Sequence, residues 1–308
     1  MTHVAIAVDV GGTTMKCALV DRAGEIRHSE RRPTGREQGP ESVLATIVDT
    51  AEALAAIART KGLVPVACGV VVPGVIDEAA GVLRWSANLG LNDAPLRDAV
   101  CDRIALPTVL GHDVRAGALA EARLGAGRTT RRMLFVAIGT GIAGGFAVDG
   151  RIDPGAHGAS GEIGHIAVRH DPDAPRCGCG GRGCLEMYAS ATAVATAYGV
   201  AGVDAAEVVR RAQTGDVRAN HVWHSAIDAL ADGLLIGIAL HDPKLVVLGG
   251  GLAAAGAFLF EPLAKALAQR RTFHRLPELA LAELGDEAGC YGAALLALDL
   301  PTGGEARG

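Results

Sequence analysis

Three cysteines lie close together in the middle of the sequence, in a segment that is also rich in glycine. Cys177, Cys179 and Cys184 fall within eight positions, while the other four of the seven cysteines are scattered. Three thiolates and one imidazole are typical ligands of a closed, tetrahedral zinc site, whereas an odd number of cysteines argues against a disulfide framework. The spacing therefore predicts a structural Zn²⁺ site with a histidine as fourth ligand.

Three histidines are near enough in sequence to be that fourth ligand. We favour His165, although His157 and His170 also lie close to the cysteines. Glu162 and Glu186 bracket the same loop, and their carboxylates could accept hydrogen bonds from a polyol. An imidazole that binds zinc through one ring nitrogen has its second ring nitrogen free to face the same polyol. The metal would then stiffen a substrate pocket.

Three glycine clusters each follow an apolar stretch with the composition of a β-strand. Such turns let backbone N–H groups approach phosphate oxygens, although any single cluster is equally typical of a simple tight turn. The second cluster has the letters of the G-x-G-x-x-G dinucleotide fingerprint, but a hairpin follows it instead of a helix, and no P-loop motif occurs. We therefore expect hairpin turns to hold nucleotide phosphates. The residues concerned are Gly11, Gly12, Thr13, Gly139, Thr140, Gly141 and Gly250.

Three charged residues stand beside these turns or at a strand end. Asp9 could hold Mg²⁺ directly or through water, but an aspartate that caps a turn would look the same. Lys16 could neutralise phosphate charge, or it could be a solvated strand residue. Asp113 lies between a strand and an alanine-rich helix, where open α/β folds bind ligands, and a helix N-cap is the simpler alternative.

Length and charge limit the classes of protein to be considered. A chain of 308 residues is long for one hydrophobic core, which favours two lobes. The 29 basic and 34 acidic side chains give a net charge of −5, so nucleic acid is not an expected partner. No run of twenty apolar residues occurs, so we expect no membrane span, and Asp9 lies inside the segment that a signal peptide would need to be apolar. We expect a cytoplasmic protein.

The apolar periodicity predicts alternating strands and helices with a weak internal repeat. A common shift lays Gly11 on Gly139, Val20 on Val148 and Asp21 on Asp149, which fits two related lobes. We place residues 1–112 and 289–308 in an N-terminal lobe and residues 113–288 in a C-terminal lobe with the zinc loop. Predicted strands cover residues 4–10, 17–20, 66–72, 106–110, 133–138, 146–148 and 244–248. Predicted helices cover residues 41–61, 113–124, 185–203, 217–240 and 288–298, with one or two more before residue 267.

These segments together resemble the ROK (repressor, open reading frame, kinase) sugar kinases, and within them the bacterial glucokinase-like branch. The resemblance covers nearly the whole chain, and its most specific part is Glu-x-Gly-His followed by the cysteine loop. It implies an α/β, two-lobe actin-like ATPase (ribonuclease H-like) fold, often dimeric, with ATP and sugar meeting in a central cleft. The segments that carry it are 9–16, 86–89, 112–113, 118–121, 138–145, 162–165, 177–186 and 248–251.

The resemblance also implies a reaction and a role for several residues. It implies an ATP-dependent sugar kinase that uses Mg²⁺ and transfers the γ-phosphoryl group to the 6-hydroxyl of a hexose, with glucose as the leading candidate. Asp113 matches the catalytic base of the family. His112 replaces the usual asparagine, and we include it because a larger, titratable ring there could change the sugar preference. The residues expected to bind the sugar are Asn88, His112, Glu162, His165 and Glu186, of which His165 is also a zinc ligand.

Other functions within the resemblance stay open. The runner-up is a kinase of N-acetylmannosamine, fructose or allose, and a sugar-binding sensor without catalysis is a further alternative because of His112. Repressors of the family carry a helix-turn-helix ahead of the first lobe, which we do not expect here because the first strand begins at Val4. The expected partners are a sugar, ATP and a second copy of the chain in a homodimer or higher homo-oligomer.

Overall fold

The computed structural model describes residues 1–301, and their contacts divide the chain into two compact units. The first unit holds residues 1–120 and 154–159 and the described residues from Asp286 onward, and the second holds residues 121–153 and 160–285. The lobe boundary expected after His112 falls where a helix begins, and this division assigns most of that helix to the first unit. Residues 302–308, which we placed in the N-terminal lobe, lie outside the described residues.

The first unit is built on a five-stranded sheet and a small three-stranded sheet. The elements are β1 (His3–Val10), β2 (Thr14–Asp21), β3 (Ile26–Pro33), α1 (Pro40–Thr60), β4 (Val64–Val72), β5 (Val75–Asp77), β6 (Val82–Ser86), β7 (Leu91–Ala94), α2 (Leu96–Ile104), β8 (Thr108–His112) and α3 (Asp113–Arg123). The strand orders are β3-β2-β1-β4-β8 in the larger sheet and β5-β6-β7 in the smaller one. The last turn of α3 belongs to the second unit.

The second unit has its own five-stranded sheet. Its elements are β9 (Arg132–Ile138), β10 (Ile142–Val148), β11 (Arg151–Ile152), α4 (Glu186–Ala189), α5 (Ala191–Tyr198), α6 (Ala205–Gln213), α7 (Val217–His241), β12 (Leu245–Gly249), α8 (Ala257–Arg270) and β13 (Glu278–Leu281). The strand order in this sheet is β11-β10-β9-β12-β13. The chain then returns to the first unit with α9 (Ala288–Leu298).

Alternation along β1 explains how helices cover both faces of the first sheet. Ile6 lies in a cluster of large side chains with residues of α1, while Ala5 and Ala7 lie in a cluster of small side chains with residues of α9. The small side chains let α9 come close, since a Cβ on Gly69 of β4 would lie only 1.9 Å from the Ala293 carbonyl oxygen. A strand buried on both faces is what the nearly continuous apolar sequence of β1 predicts.

The core of the second unit forms between its sheet and α7. Leu134 and Val136 of β9 share one apolar cluster with Leu230 and Leu234 of α7. The Asp216 carboxylate begins the helix by accepting a hydrogen bond from the Ala219 N–H at 2.8 Å. These contacts place the strand ends, and the turns that follow them, at fixed positions within the unit.

Among the described residues, one helix is long and apolar enough to cross a membrane by length and composition. This helix is α7, whose most apolar window has a mean hydropathy of 1.3. In the structure 61% of that window is buried inside the protein, as expected of a core helix.

The internal repeat predicted from the sequence is present as two sheets of matching topology. In both sheets the first two strands form an antiparallel hairpin, and the first strand then pairs in parallel with a later one. The strand orders β3-β2-β1-β4-β8 and β11-β10-β9-β12-β13 correspond position by position. The two predicted phosphate turns, after β1 and after β9, are therefore equivalent places in the two units.

The structure differs from the predicted elements at one helix break and at several short or polar segments. The helix predicted over residues 185–203 is broken at Ser190, which has an extended backbone and caps α5 by accepting a hydrogen bond from the Ala193 N–H. Strand β3 escaped prediction because its sequence is mostly polar and its side chains are at most half-buried. The small sheet, α2 and α6 were also missed, since each is short.

Candidate active site and metal centre

The first glycine turn connects β1 to β2, and its geometry requires glycine at Gly11. The Gly11 N–H donates to the Thr14 carbonyl at 3.0 Å, and a Cβ on Gly11 would lie 2.7 Å from the same oxygen. The Thr34 hydroxyl supports the turn from the other side by donating to the Gly11 carbonyl at 2.8 Å. A Cβ on Gly12 would lie 3.8 Å from the Asn88 Cβ. The structure thus brings the predicted sugar ligand Asn88 beside the predicted phosphate turn.

Asp9 at the end of β1 has a carboxyl group with an unusual pKa. Burial, and next the nearby Asp113 carboxylate, raise the pKa of Asp9 from 3.8 to about 7, although Lys16 acts in the opposite direction. A Cβ on Gly289 would lie 2.2 Å from the Asp9 Oδ2, so the carboxylate rests against the backbone of α9. Two neighbouring carboxylates of this kind fit a hard divalent cation, which takes oxygen ligands and would favour the ionised form of Asp9.

Lys16 lies opposite Asp9 in the pairing of β1 with β2. Its ammonium group donates to the Asp286 carbonyl at 2.9 Å and lies 3.7 Å from the Asp286 carboxylate, which is largely exposed. An exposed ion pair of this kind is weak. Lys16 is therefore held near the turn by a contact that an incoming phosphate group could replace.

The raised pKa of Asp9 makes a prediction about stability. Because the folded-state pKa is higher than the unfolded value, the free energy of unfolding falls as pH rises from about 4 through 7. Asparagine does not titrate, so the advantage of Asp9→Asn over the wild type should be larger at pH 8 than at pH 5, by roughly 2 kcal/mol. Urea denaturation in metal-free buffer measures it. The exposed Asp102→Asn is the control, and an equal difference at both pH values would contradict the prediction.

Asp113 is the first residue of α3 and follows directly after β8. Its Oδ1 accepts a hydrogen bond from the Val114 N–H at 2.7 Å, while Oδ2 accepts none from residues 1–301. The side chain is 29% exposed. One oxygen therefore fixes the carboxylate to the start of the helix, and the other is available to accept a proton.

His112 is buried and lies against the first turn of the same helix. Its Nδ1 faces the Val114 N–H at 3.2 Å and the Arg115 N–H at 3.5 Å, and it lies 3.2 Å from the Asp113 Oδ1. A ring nitrogen that accepts from these N–H groups acts as a cap for α3, the role that the sequence offered as an alternative for Asp113.

The second and third glycine clusters lie together in the second unit. The Gly139 N–H donates to the Gly141 carbonyl at 2.9 Å, which closes the turn between β9 and β10. Gly250, at the end of β12, has a φ of 82°, and a Cβ there would lie 2.5 Å from the Ile138 carbonyl oxygen. Only glycine allows this approach, so the predicted phosphate residues Gly139, Thr140, Gly141 and Gly250 occupy one end of the sheet.

Glu186, which we expected to bind a sugar, lies against that second turn. Its Oε2 accepts a hydrogen bond from the Ile142 N–H at 2.9 Å, and a Cβ on Gly141 would lie 2.5 Å from the same oxygen. The Thr192 hydroxyl also donates to the Thr140 carbonyl at 2.9 Å. Glu186 therefore connects the segment after the cysteines to the turn, a contact that the sequence did not indicate.

The three clustered cysteines and His165 form a compact group of four possible metal ligands. Their ligand atoms all lie within 4.8 Å of one another, and neither His157 nor His170 belongs to the group. The Cys177 Sγ lies 3.5 Å from the His165 Nδ1, and the Cys179 and Cys184 Sγ atoms are 3.7 Å apart. Tetrahedral zinc with Zn–S bonds of about 2.3 Å would place two sulfurs about 3.8 Å apart. The donor set and its spacing therefore fit Zn²⁺.

The backbone of the loop and the second nitrogen of His165 are also fixed. The Cys177 N–H donates to the Gly181 carbonyl at 2.9 Å, and Gly183 has a φ of 70° that favours glycine. The His165 Nε2 lies 3.8 Å from the Glu162 Oε2. Nδ1 faces the thiols and Nε2 faces Glu162, and the contact of Nε2 with a sugar stays a prediction.

Burial and mutual repulsion disfavour the charged forms of two of the thiols. Burial, and then the neighbouring cysteines, raise the pKa of Cys184 to about 12, and burial likewise raises the pKa of Cys177. The backbone N–H of Gly181 instead lowers the pKa of Cys179. A cation bound among the sulfurs would reverse this balance, since thiolates are the form that binds metal.

The family of the chain follows from a match over almost its whole length. A model described as the ROK family matches residues 5–300. The chain belongs to the ROK family. A glucokinase of Thermotoga maritima is 33% identical to this ROK chain, over 94% of the chain and 95% of that protein. An N-acetylmannosamine kinase of Escherichia coli is 32% identical, over 95% of the chain and 97% of that protein.

The solved structures confirm the predicted fold class of the ROK chain. A ROK family glucokinase from Streptomyces griseus, in complex with glucose and AMPPNP, matches with a TM-score of 0.81 at 28% identity. The match covers 96% of the chain and 99% of that structure. The fold is α/β and of the actin-like ATPase type.

Proposed function

We propose that this chain is an ATP-dependent hexokinase that transfers the γ-phosphoryl group to the 6-hydroxyl of glucose. The observation that carries the proposal is Asp113, a carboxylate with one oxygen anchored at the β8–α3 junction and the other oxygen available. The similarity to glucokinases over almost the whole chain supports it. The residue roles below are proposals that rest on the family resemblance and on the geometry of each unit by itself.

In the proposed reaction Asp113 accepts the proton of the sugar hydroxyl while the phosphoryl group arrives. Phosphoryl transfer has a loose transition state, so the protein contributes mainly positioning and charge neutralisation. The glycine turns after β1, β9 and β12 would offer N–H groups to the phosphates, and Lys16 would neutralise charge beside the first turn. Asp9 would hold Mg²⁺, which neutralises charge on the phosphate oxygens when it is bound.

The sugar would be oriented by five side chains from segments that resemble the family. We assign Asn88 and His112 to this role in the first unit, and Glu162, His165 and Glu186 in the second. Structural Zn²⁺ held by His165 and the three cysteines would fix the segment that carries Glu162 and His165. We place the protein in the cytoplasm, where ATP is available, as a homodimer or higher homo-oligomer.

N-acetylmannosamine is the second candidate substrate because kinases of that sugar are almost as similar to the chain as glucokinases are. A panel of hexoses and N-acetylhexosamines with Mg²⁺ and ATP, assayed for ADP and for sugar phosphate, tests both candidates. We expect glucose to give the highest kcat/KM. Absence of turnover with every sugar would contradict the kinase proposal and leave a sugar-binding sensor.

The substitution His112→Asn tests whether the unusual histidine contacts the sugar. Asparagine is a good helix cap, so the free energy of unfolding should change by less than about 0.5 kcal/mol, whereas His112→Ala should cost about 1 kcal/mol. We expect the ratio of kcat/KM between glucose and other hexoses to change about tenfold, since a smaller amide replaces the ring. An unchanged ratio in the same sugar panel would show that His112 serves only α3.

A further inference from the structure

Arg115 is a buried cation close to the candidate base. It lies in the first turn of α3, two positions after Asp113, and only 4% of its side chain is exposed. Arginine is rarely buried to this extent without an ionic partner. No motif or spacing in the sequence marks this arginine as functional.

Two nitrogens of the Arg115 guanidinium form hydrogen bonds to two other segments of the first unit. One nitrogen donates to the Glu78 Oε1 at 2.7 Å, directly after β5, and another donates to the Gly158 carbonyl at 2.7 Å. Both distances are short, as in charge-assisted hydrogen bonds, and the planar guanidinium fixes their directions. Three separate segments therefore meet at one side chain.

The segment at Gly158 is packed closely enough to transmit this restraint. Gly158 has a φ of 68°, and a Cβ there would lie 2.9 Å from the Ile76 carbonyl oxygen of β5. The backbone of residues 154–159 therefore lies directly against the strand that precedes Glu78. In the sequence Gly158 stands four positions before Glu162, which is a proposed sugar ligand. The hydrogen bond from Arg115 to the Gly158 carbonyl therefore also restrains the chain that precedes Glu162.

Stability alone is a weak reason for such a cluster. Burying an ion pair costs desolvation, so well-packed apolar residues often stabilise a fold as well or better. The cluster does, however, fix the first turn of α3 relative to β5 and to residues 154–159. The direction of the Asp113 Oδ2 depends on that turn, because Asp113 Oδ1 is bonded to the adjacent Val114 N–H.

We propose that Arg115 is a positioning residue, which through Glu78 and Gly158 sets the place of Asp113 against the acceptor hydroxyl of the sugar. The inference rests on the proposed hexokinase function. It does not assign Arg115 any contact with sugar or ATP. A misplaced base slows transfer to the sugar, and a loosely held acceptor lets water compete for the phosphoryl group.

Steady-state kinetics of Arg115→Ala, Arg115→Lys and Glu78→Gln test the proposal. For Arg115→Ala we expect kcat to fall about 10- to 100-fold, the cost of misplacing a reacting group by about 1 Å. The KM for ATP should stay within about twofold, and the ratio of ADP to sugar phosphate should rise above one. Arg115→Lys keeps the positive charge but loses the planar set of N–H donors of the guanidinium. Both Arg115→Lys and Glu78→Gln should therefore show smaller changes in the same direction.

Arg84→Ala is the matched control for the loss of a bridging arginine. Arg84 connects Asp77 and Asp93 at 2.9 and 3.1 Å, but its side chain is 46% exposed, and we expect kcat and the product ratio to stay unchanged. Added guanidinium at millimolar concentration, but not sodium at equal ionic strength, should partly restore kcat of Arg115→Ala.

The outcomes separate this inference from the proposed function. Lack of turnover by the wild type with every sugar would overturn both. With an active wild type, a folded Arg115→Ala whose kcat and product ratio match it would overturn the positioning role alone. If Arg115→Ala does not fold, the decision passes to Arg115→Lys and Glu78→Gln, and normal product ratios with unchanged kcat in both would overturn the inference.

Discussion

We expect Asp113→Asn to lower kcat for sugar phosphorylation about 1,000-fold, within the range of about 10² to 10⁴ that a general base contributes. Asparagine keeps an oxygen that can accept from the Val114 N–H, so the start of α3 should be preserved. It removes the oxygen that can take a proton from the sugar. Single-turnover formation of sugar phosphate measures the chemical step, and calorimetric titration with sugar and a nonhydrolysable ATP analogue measures binding, which should change less than about threefold.

Asp98→Asn is a suitable control for that experiment. Asp98 is also an aspartate in the first turn of a helix, in this case α2, and its largely exposed side chain pairs only with the neighbouring Arg97 among the described residues. Its substitution should leave kcat unchanged. The base assignment would be wrong if Asp113→Asn retained at least a third of the wild-type kcat with intact binding.

The same substitution has a second, electrostatic consequence. The Asp113 carboxylate is, after burial, the largest cause that raises the pKa of Asp9. Removing its charge should therefore lower the pKa of Asp9 and make the ionised form more accessible at neutral pH. The charges of the two carboxylates interact through space. A loss of activity in Asp113→Asn should therefore not come from a smaller ionised fraction of Asp9.

The parts of the site that could be predicted from the sequence are those with a local signal. The glycine turns could be found because each position that must be glycine, such as Gly11 or Gly250, lies next to its strand. The four possible metal ligands could be found because three of them share one short loop. The repeat of the fold was visible for the same reason, since both hairpins combine an apolar strand, a glycine turn and a second strand.

The parts that escaped prediction depend on segments that are far apart in the sequence. The bond from the Ile142 N–H to Glu186 joins residues 44 positions apart, and Arg115 and Glu78 are 37 apart. No periodicity in either segment reports on such a contact. His112 illustrates a second limit, because its departure from the family was visible whereas its burial against α3 was not.

The candidate metal centre lies beside two of the proposed sugar ligands, Glu162 and His165. Cys179 is exposed, whereas Cys177 and Cys184 are buried, so Cys179 can be changed without disturbing packed apolar atoms. His165 faces the thiols with one nitrogen and Glu162 with the other. A loop that loses its metal should release both of these side chains, because a structural zinc ion contributes folding free energy to the segment that binds it.

We expect Cys179→Ser to reduce the zinc content from one ion per chain to nearly none and to raise the KM for the sugar at least about tenfold, since ligands of this loop lose their fixed orientation. The KM for ATP should change little, because the glycine turns are held by their own backbone bonds. Elemental analysis and steady-state kinetics measure the two effects, and Cys101→Ser, which lies outside the cluster, should show neither. Unchanged sugar affinity in zinc-free protein would contradict the prediction that zinc orients residues that bind the sugar.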